Sequence, residues 1–150
     1  SFAEANEIGL STDLDVLQLH GDEPPEVVAE FSESWPLIKA FRVGPEFHAK
    51  QLKSFCPHTD FFLLDGFSQD ARGGTGETFD WSTALEAKRY GRIFLSGGLT
   101  SENVGDAVRQ VRPFAVDVCS GVEASPGKKD AARVREFIRT VKEASEEIAQ

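Results

Sequence analysis

The sequence predicts an α/β fold built on a parallel sheet, and three observations carry that expectation. Five short β-rich runs alternate with stretches whose apolar residues recur at helical spacing. One run, Phe61-Phe62-Leu63-Leu64, is apolar without interruption, as a strand covered on both faces requires. The conspicuous polar residues, Gln18, His20, Asp65, Ser96 and Asp117 to Ser120, all fall where strands end. That is the side of a parallel sheet on which ligands bind.

Taken in order, residues 2–10 read as the last turns of a helix, with Gly9 suited to its C-cap. Leu14 to His20 is the first strand. Its alternation sets Val16, Gln18 and His20 on one face and Leu17 and Leu19 on the other. For His20 two readings stand: a site residue, or half of a hydrogen-bonded pair at a strand end. Pro24 and Pro25 open a helix whose buried stripe is Val27, Val28 and Phe31. Leu37 to Val43 is the second strand, with Lys39 and Phe41 on one face and Arg42 on the other. Residues 45–55 suit a short helix. The third strand ends at Asp65, on the face of Phe61 and Leu63, where a carboxyl is costly unless paired or put to use. Gly66 to Gly76 is a loop able to fold over a ligand, and Phe79-Asp80-Trp81 opens a helix continued by Leu85. Arg92 to Ser96 and Phe114 to Cys119 are strands four and five. Between them Thr100 or Ser101 can cap a helix carrying Val104, Ala107, Val108 and Val111. Pro126 to Asp130 is a turn. The last helix runs to about Ile148, with Val134, Phe137, Ile138, Val141 and Ala144 inward.

The last two strands each end in small residues, Ser96-Gly97-Gly98 and Ser120-Gly121. Glycines let backbone N–H groups approach an anion closely, so a phosphate between those strand ends is the natural ligand. The same glycines also suit plain tight turns. No Gly-x-Gly-x-x-Gly follows the first strand and no Gly-Lys-Thr/Ser loop is present, so nucleotide binding loses ground.

A hydrophobic content of 40% with 27% charged residues describes one soluble globular domain over residues 1–150. A net charge of -9 argues against nucleic acid and anionic membranes as partners. No apolar run approaches the roughly 20 residues of a membrane span, and no signal-peptide pattern opens the chain. Two cysteines, Cys56 and Cys119, make no disulfide framework, which points to the cytoplasm. His48, Cys56 and His58 lack a second close pair, so no metal is expected. The chain contains no Met and begins at Ser1, as a processed chain or a piece of a longer one would.

Five segments in their order resemble phosphoribosylanthranilate isomerase, a (βα)8 TIM barrel of tryptophan biosynthesis. They are Gln18-Leu19-His20-Gly21, the run from Gly73-Gly74-Thr75-Gly76 to Asp80-Trp81, Ser96-Gly97-Gly98-Leu99 with Asn103-Val104, Val116-Asp117-Val118 with Ser120-Gly121-Val122-Glu123, and Pro126-Gly127-Lys128-Lys129-Asp130. Each is weak alone; together they are specific, and they cover nearly the whole chain. The resemblance implies an Amadori rearrangement of N-(5'-phosphoribosyl)anthranilate to 1-(2-carboxyphenylamino)-1-deoxyribulose 5-phosphate, without cofactor or metal. It implies Asp65 as general acid, its pKa raised by burial. It implies Gln18, His20 and Asp117 around the substrate, and the phosphate on N–H groups of Gly97, Gly98, Ser120 and Gly121.

Three departures stand out. Glu77 occupies a position where Lys is common, and Cys119 replaces a frequent Ser. The family's opening strand, whose Cys is the general base, has no counterpart here. The chain aligns from the family's third helix onward, which leaves about five βα units of a partial barrel, family strands four to eight. Such a piece is expected to be inactive alone. It is expected to expose strand edges near Leu14 and Phe114, to leave Phe61 and Leu63 short of neighbours, and to self-associate. A non-catalytic partial barrel binding a phosphorylated ligand or a partner chain is the alternative.

Overall fold

Five parallel strands lie side by side in chain order in a computed structural model that describes residues 2–66 and 80–149. They are β1 (Leu17–Leu19), β2 (Leu37–Val43), β3 (Phe61–Gly66), β4 (Arg92–Ser96) and β5 (Ala115–Val116). Parallel neighbours need a crossover after each strand. Here the crossovers contain α2 (Pro25–Ser32), a 3-10 helix (Ala49–Ser54), α3 (Trp81–Ala87) and α4 (Val104–Val111). Helix α1 (Phe2–Ser11) precedes β1, and α5 (Ala131–Ala149) ends the described chain. The arrangement is that of consecutive βα units of a barrel, with β1 and β5 at the edges. The Gly73-Gly74-Thr75-Gly76 run, Glu77 and Phe79 lie outside the described residues.

The pairing register sorts the side chains into two faces. Ala40, Leu63 and Phe94 form one row across the sheet, and Arg42, Asp65 and Ser96 form the next row toward the strand ends. The opposite face carries Phe62, Leu64, Ile93 and Leu95, all buried to within about 1%. They form the main core with Val28, Leu52, Ala84, Val104 and Val111 from the connecting helices. On the inner face, at the other end of the strands, the rings of Phe61, Phe94 and Phe114 meet with centroids 5.4–6.0 Å apart. The Arg92 guanidinium lies over two of them, Phe61 and Phe114. Phe114 remains 57% exposed. Leu63 departs from expectation: it is 3% exposed, flanked in register by Ala40 and Phe94.

Several elements differ from their sequence-based bounds. Strand β1 is short because the chain is still closing α1. Asp13 takes a left-handed conformation, φ 55°, and the Leu14 N–H donates to the Gly9 carbonyl at 3.1 Å. Gly9 therefore lies inside α1 rather than at its cap. Strand β5 is formally two residues, yet the Phe114 and Asp117 N–H groups, one on either side, still donate to β4 carbonyls at 2.8 Å. The turn at Pro126 is the tip of an antiparallel hairpin, β6 (Glu123–Ser125) with β7 (Lys128–Lys129). Leu85 and Ile138 point outward, since a single helical face cannot hold every apolar residue of its sequence.

Gly9 packs where a Cβ would come within 2.6 Å of the Trp35 ring, whose indole N–H donates to Asn6 Oδ1 at 3.0 Å. An alanine in a free helix gains about 1 kcal/mol over glycine, whereas overpacking a filled site costs about 1–3 kcal/mol. Gly9→Ala is therefore expected to lower the denaturation midpoint. An unchanged or raised midpoint in a urea titration would show that the Trp35 ring moves aside freely.

Candidate functional site

Every residue that the sequence places in the site lines one cavity of about 300 Å³ at the C-terminal end of the sheet. Gln18 and His20 reach it from β1, Asp65 from β3 and Asp117 from beyond β5. Gly97 and Gly98 close it after β4, and Ser120 and Gly121 close it after β5. A larger hollow of about 690 Å³ lies beside it, between β1 and β2 and their following segments, and shares only His20 with it. That hollow takes in Phe41, Phe47 and Phe55 and not Asp65, so size does not identify the site here; the converging polar groups do.

Asp65 stands between Arg42 and Ser96 in register, with Leu63 beneath it on the same face. The His20 Nε2 lies 3.7 Å from Asp65 Oδ2, and the two side chains are 39% and 34% exposed. Burial pushes the Asp65 carboxyl above the usual carboxylate range. The negative charge of Asp117 acts in the same direction, and the positive charges of His20 and Arg42 oppose it without reversing it. Asp117 is held twice: its N–H donates to the Leu95 carbonyl at 2.8 Å, and the buried Ser96 hydroxyl donates to its Oδ2 at 2.8 Å.

The glycine end is built for close approach. Gly97 has φ 84° and lies so near β3 that a Cβ would collide with the Gly66 nitrogen. Asn103 braces the same loop: its Nδ2 donates to the Gly98 carbonyl at 2.9 Å, and its Oδ1 accepts the Thr100 N–H at 2.8 Å. Asn103 also occupies the N-cap position of α4, in place of the expected Thr100 or Ser101. Sequence reading placed Ser96 among the polar residues at the ligand-binding strand ends and Asn103 on a helix, but gave neither of them the bond it makes here. The available signal was an amide five residues after Gly98, a group that can both donate and accept.

The two cysteines fall differently. Cys119 lines the glycine end, but its thiol faces the hairpin, with Lys129 Nζ at 3.5 Å and Glu123 Oε1 at 3.8 Å. Cys56 is far from the cavity, its thiol donating to the Tyr90 and Leu52 carbonyls. Among the described residues no group of three metal-ligating side chains gathers.

Known proteins resemble this chain in sequence and in fold. The sequence model of the N-(5'phosphoribosyl)anthranilate (PRA) isomerase family matches residues 2–140. An N-(5'-phosphoribosyl)anthranilate isomerase from Geobacter metallireducens is 48% identical over 140 residues, which is 93% of this chain and 67% of that protein. Phosphoribosyl anthranilate isomerase from Thermotoga maritima superposes with a TM-score of 0.80 at 40% identity, over 95% of this chain and 68% of that one. A phosphoribosyl anthranilate isomerase in complex with reduced 1-(o-carboxyphenylamino)-1-deoxyribulose 5-phosphate superposes with a TM-score of 0.75 at 37% identity, over 95% and 66%. The chain thus spans about two thirds of the length of these relatives.

The raised pKa of Asp65 fixes the sign of a pH effect. The folded state binds this proton more tightly than the unfolded chain, whose value is about 3.9. Below about pH 4 the side chain is protonated in both states and nothing is lost. As pH rises through the folded value, ionisation in the cavity costs stability, and the loss persists above it. Asp65→Asn is therefore expected to raise the Tm at pH 7 and to leave it unchanged near pH 3.5. A Tm gain that is the same at both pH values would mean that ionisation of Asp65 is not its source.

Proposed function

The chain belongs to the N-(5'-phosphoribosyl)anthranilate isomerase family, and from that premise we propose that these residues form the acid and phosphate side of its active site. The substrate is N-(5'-phosphoribosyl)anthranilate and the product is 1-(2-carboxyphenylamino)-1-deoxyribulose 5-phosphate. One observation carries the reading: a carboxyl that burial pushes above the usual carboxylate range shares a single cavity with the two glycine turns.

Ring opening is the step these residues serve. The Asp65 carboxyl gives its proton to the ribose ring oxygen as the C1–O bond breaks. The anilino nitrogen lone pair becomes the second C1–N bond, giving a protonated imine. The carboxylate left behind lies beside His20 and Arg42, whose charges stabilise it at the moment it forms. A base then removes the C2 proton, and the electron pair moves through C1 onto nitrogen to give an enolamine. Proton loss from the C2 hydroxyl and protonation at C1 complete the ketose.

The 5'-phosphate is assigned to the N–H groups of Gly97, Gly98, Ser120 and Gly121. Gln18 and Asp117 are assigned to the hydroxyls between phosphate and acid. Neither cysteine is assigned as the base: the Cys119 thiol turns toward Lys129, and Cys56 does not line the cavity.

Two experiments test the assignments in an active isomerase carrying these residues. Asp65→Asn should lower kcat by roughly 100- to 10,000-fold while product binding persists, since the amide keeps the shape and cannot give up a proton. A near-normal kcat rules out Asp65 as the acid. Gly98 has φ 66°, a conformation hostile to a β-branched residue. Gly98→Val should weaken phosphorylated ligands by roughly 10- to 100-fold and leave the dephosphorylated analogue within about twofold. Equal losses for both ligands in a calorimetric titration would place the phosphate elsewhere.

A further inference from the structure

Lys39 is the one charged residue on the helix-covered face of the sheet among the described strands, and it is 2% exposed. An ammonium buried there needs three acceptors for its three protons. It finds the Gly21 carbonyl at 2.8 Å, Glu23 Oε2 at 2.9 Å and the Ala40 carbonyl at 3.1 Å, with the Leu19 carbonyl at 3.5 Å. Glu23 completes the clamp, both of its carboxylate oxygens accepting the Gly21 N–H at 3.1 Å. Burial alone would push the Glu23 carboxyl up, but the hydrogen bond from Lys39, with its charge and nearby N–H groups, holds it below the usual range.

Two of the Lys39 contacts, to the Leu19 and Gly21 carbonyls, lie on the backbone on either side of His20, and Glu23 holds the Gly21 N–H as well. The His20 side chain projects to the opposite face, where its imidazole stands 3.7 Å from Asp65. We propose that Lys39, with Glu23, is a positioning residue that acts through the sheet: it fixes the His20 backbone and so holds the imidazole against the acid. The inference rests on the reading of Asp65 as the acid. The clamp fixes the backbone from which the His20 side chain leaves, and with it the point from which the imidazole reaches Asp65.

The groups facing Asp65 among the described residues are His20 after β1, Arg42 in β2 and Asp117 beyond β5, while β4 offers the neutral Ser96. Only His20 is attached to the clamp. Releasing it takes the imidazole from beside the carboxylate and with it the interaction that lowers the Asp65 pKa, so Asp65 keeps its proton to higher pH.

The test is the pH profile of kcat/KM in an active isomerase carrying these residues, for His20→Ala, Glu23→Gln, Lys39→Met and the His20→Ala/Glu23→Gln double variant. In each single variant the limb on which activity falls with rising pH should move upward by about half a pH unit. The double variant should move no further than His20→Ala alone, because both changes remove the same contact. Glu23 is partly solvent-exposed, so Glu23→Gln carries the test if Lys39→Met does not fold. A clamp that only stabilises the fold would lower the Tm of Glu23→Gln and leave the limb in place; with the limb moved in His20→Ala, that result overturns the proposal and leaves the acid assignment standing. A limb unmoved in His20→Ala overturns the proposal at its link to Asp65, while the Asp65→Asn kinetics decide the acid assignment separately.

Discussion

The register of β3 is the constraint on which the rest of the structure depends. This strand sits at the centre of the sheet, and its two faces could hardly differ more in what they tolerate. Phe62 and Leu64 fill the layer under the helices, while Leu63 and Asp65 look into the cavity. A slip of one residue would send Asp65 into the helix layer and put Leu64 at the cavity floor. Burial of two large apolar side chains, about 1.5–3 kcal/mol each, stands against that slip. The same pairing places Arg42 and Ser96 on either side of Asp65, so the electrostatic setting of the acid follows from a packing requirement rather than from a separate device.

Along the inner face the chemistry changes in a graded way. The starts of the strands contribute the Phe61, Phe94 and Phe114 rings with Arg92 over them. The middle contributes Ala40 and Leu63. The ends contribute His20, Asp65, Ser96 and the glycine loops. Stability and reactivity are thereby separated along the strand axis, the division characteristic of barrels whose active sites lie at one face. The loops at the reactive end need not supply core. Their geometry is instead fixed by hydrogen bonds, as at Asn103 and Ser96.

Much of this was legible in the sequence, because period-two alternation is a local property. It assigned Gln18, His20, Arg42 and Asp65 to their faces before any partner strand was known. It also marked Asp65 as a carboxyl at an unusual place. Other features were not legible, for reasons that are not local. Gly9 matched a helix C-cap, but its role is set by the Trp35 ring, 26 residues later in the chain. Lys39 alternated with apolar neighbours and carried no sign that its ammonium would be buried; that depends on the carbonyls of a loop some 18 residues earlier. Asn103 was read as a residue of the helix that Thr100 or Ser101 would cap, because a sequence does not reveal that the Gly98 carbonyl needs a donor. The hairpin at Glu123 to Lys129 was read as a turn, since strands of two and three residues leave no period to detect.

The charge balance of the cavity bears on how the proposed acid, Asp65, can also be a stable part of the fold. Burial and Asp117 favour the protonated form of Asp65, while His20 and Arg42 favour the ionised one. With the first pair alone, the carboxyl would hold its proton too tightly to give it to an ether oxygen. The second pair alone would favour the ionised form, which has no proton to give. A general acid works best when its pKa lies between these extremes, near the pH at which it operates. The opposing groups come from three different strand ends, and each is fixed by its own bonds: Asp117 by Ser96 and the Leu95 carbonyl, His20 through the backbone tied to Lys39, Arg42 by its register beside Asp65. The proposed phosphate site is therefore compatible with a chain of net charge -9. In the proposed arrangement the anion meets backbone N–H groups at one end of the cavity, and burial favours the uncharged form of the carboxyl that faces it from the other end.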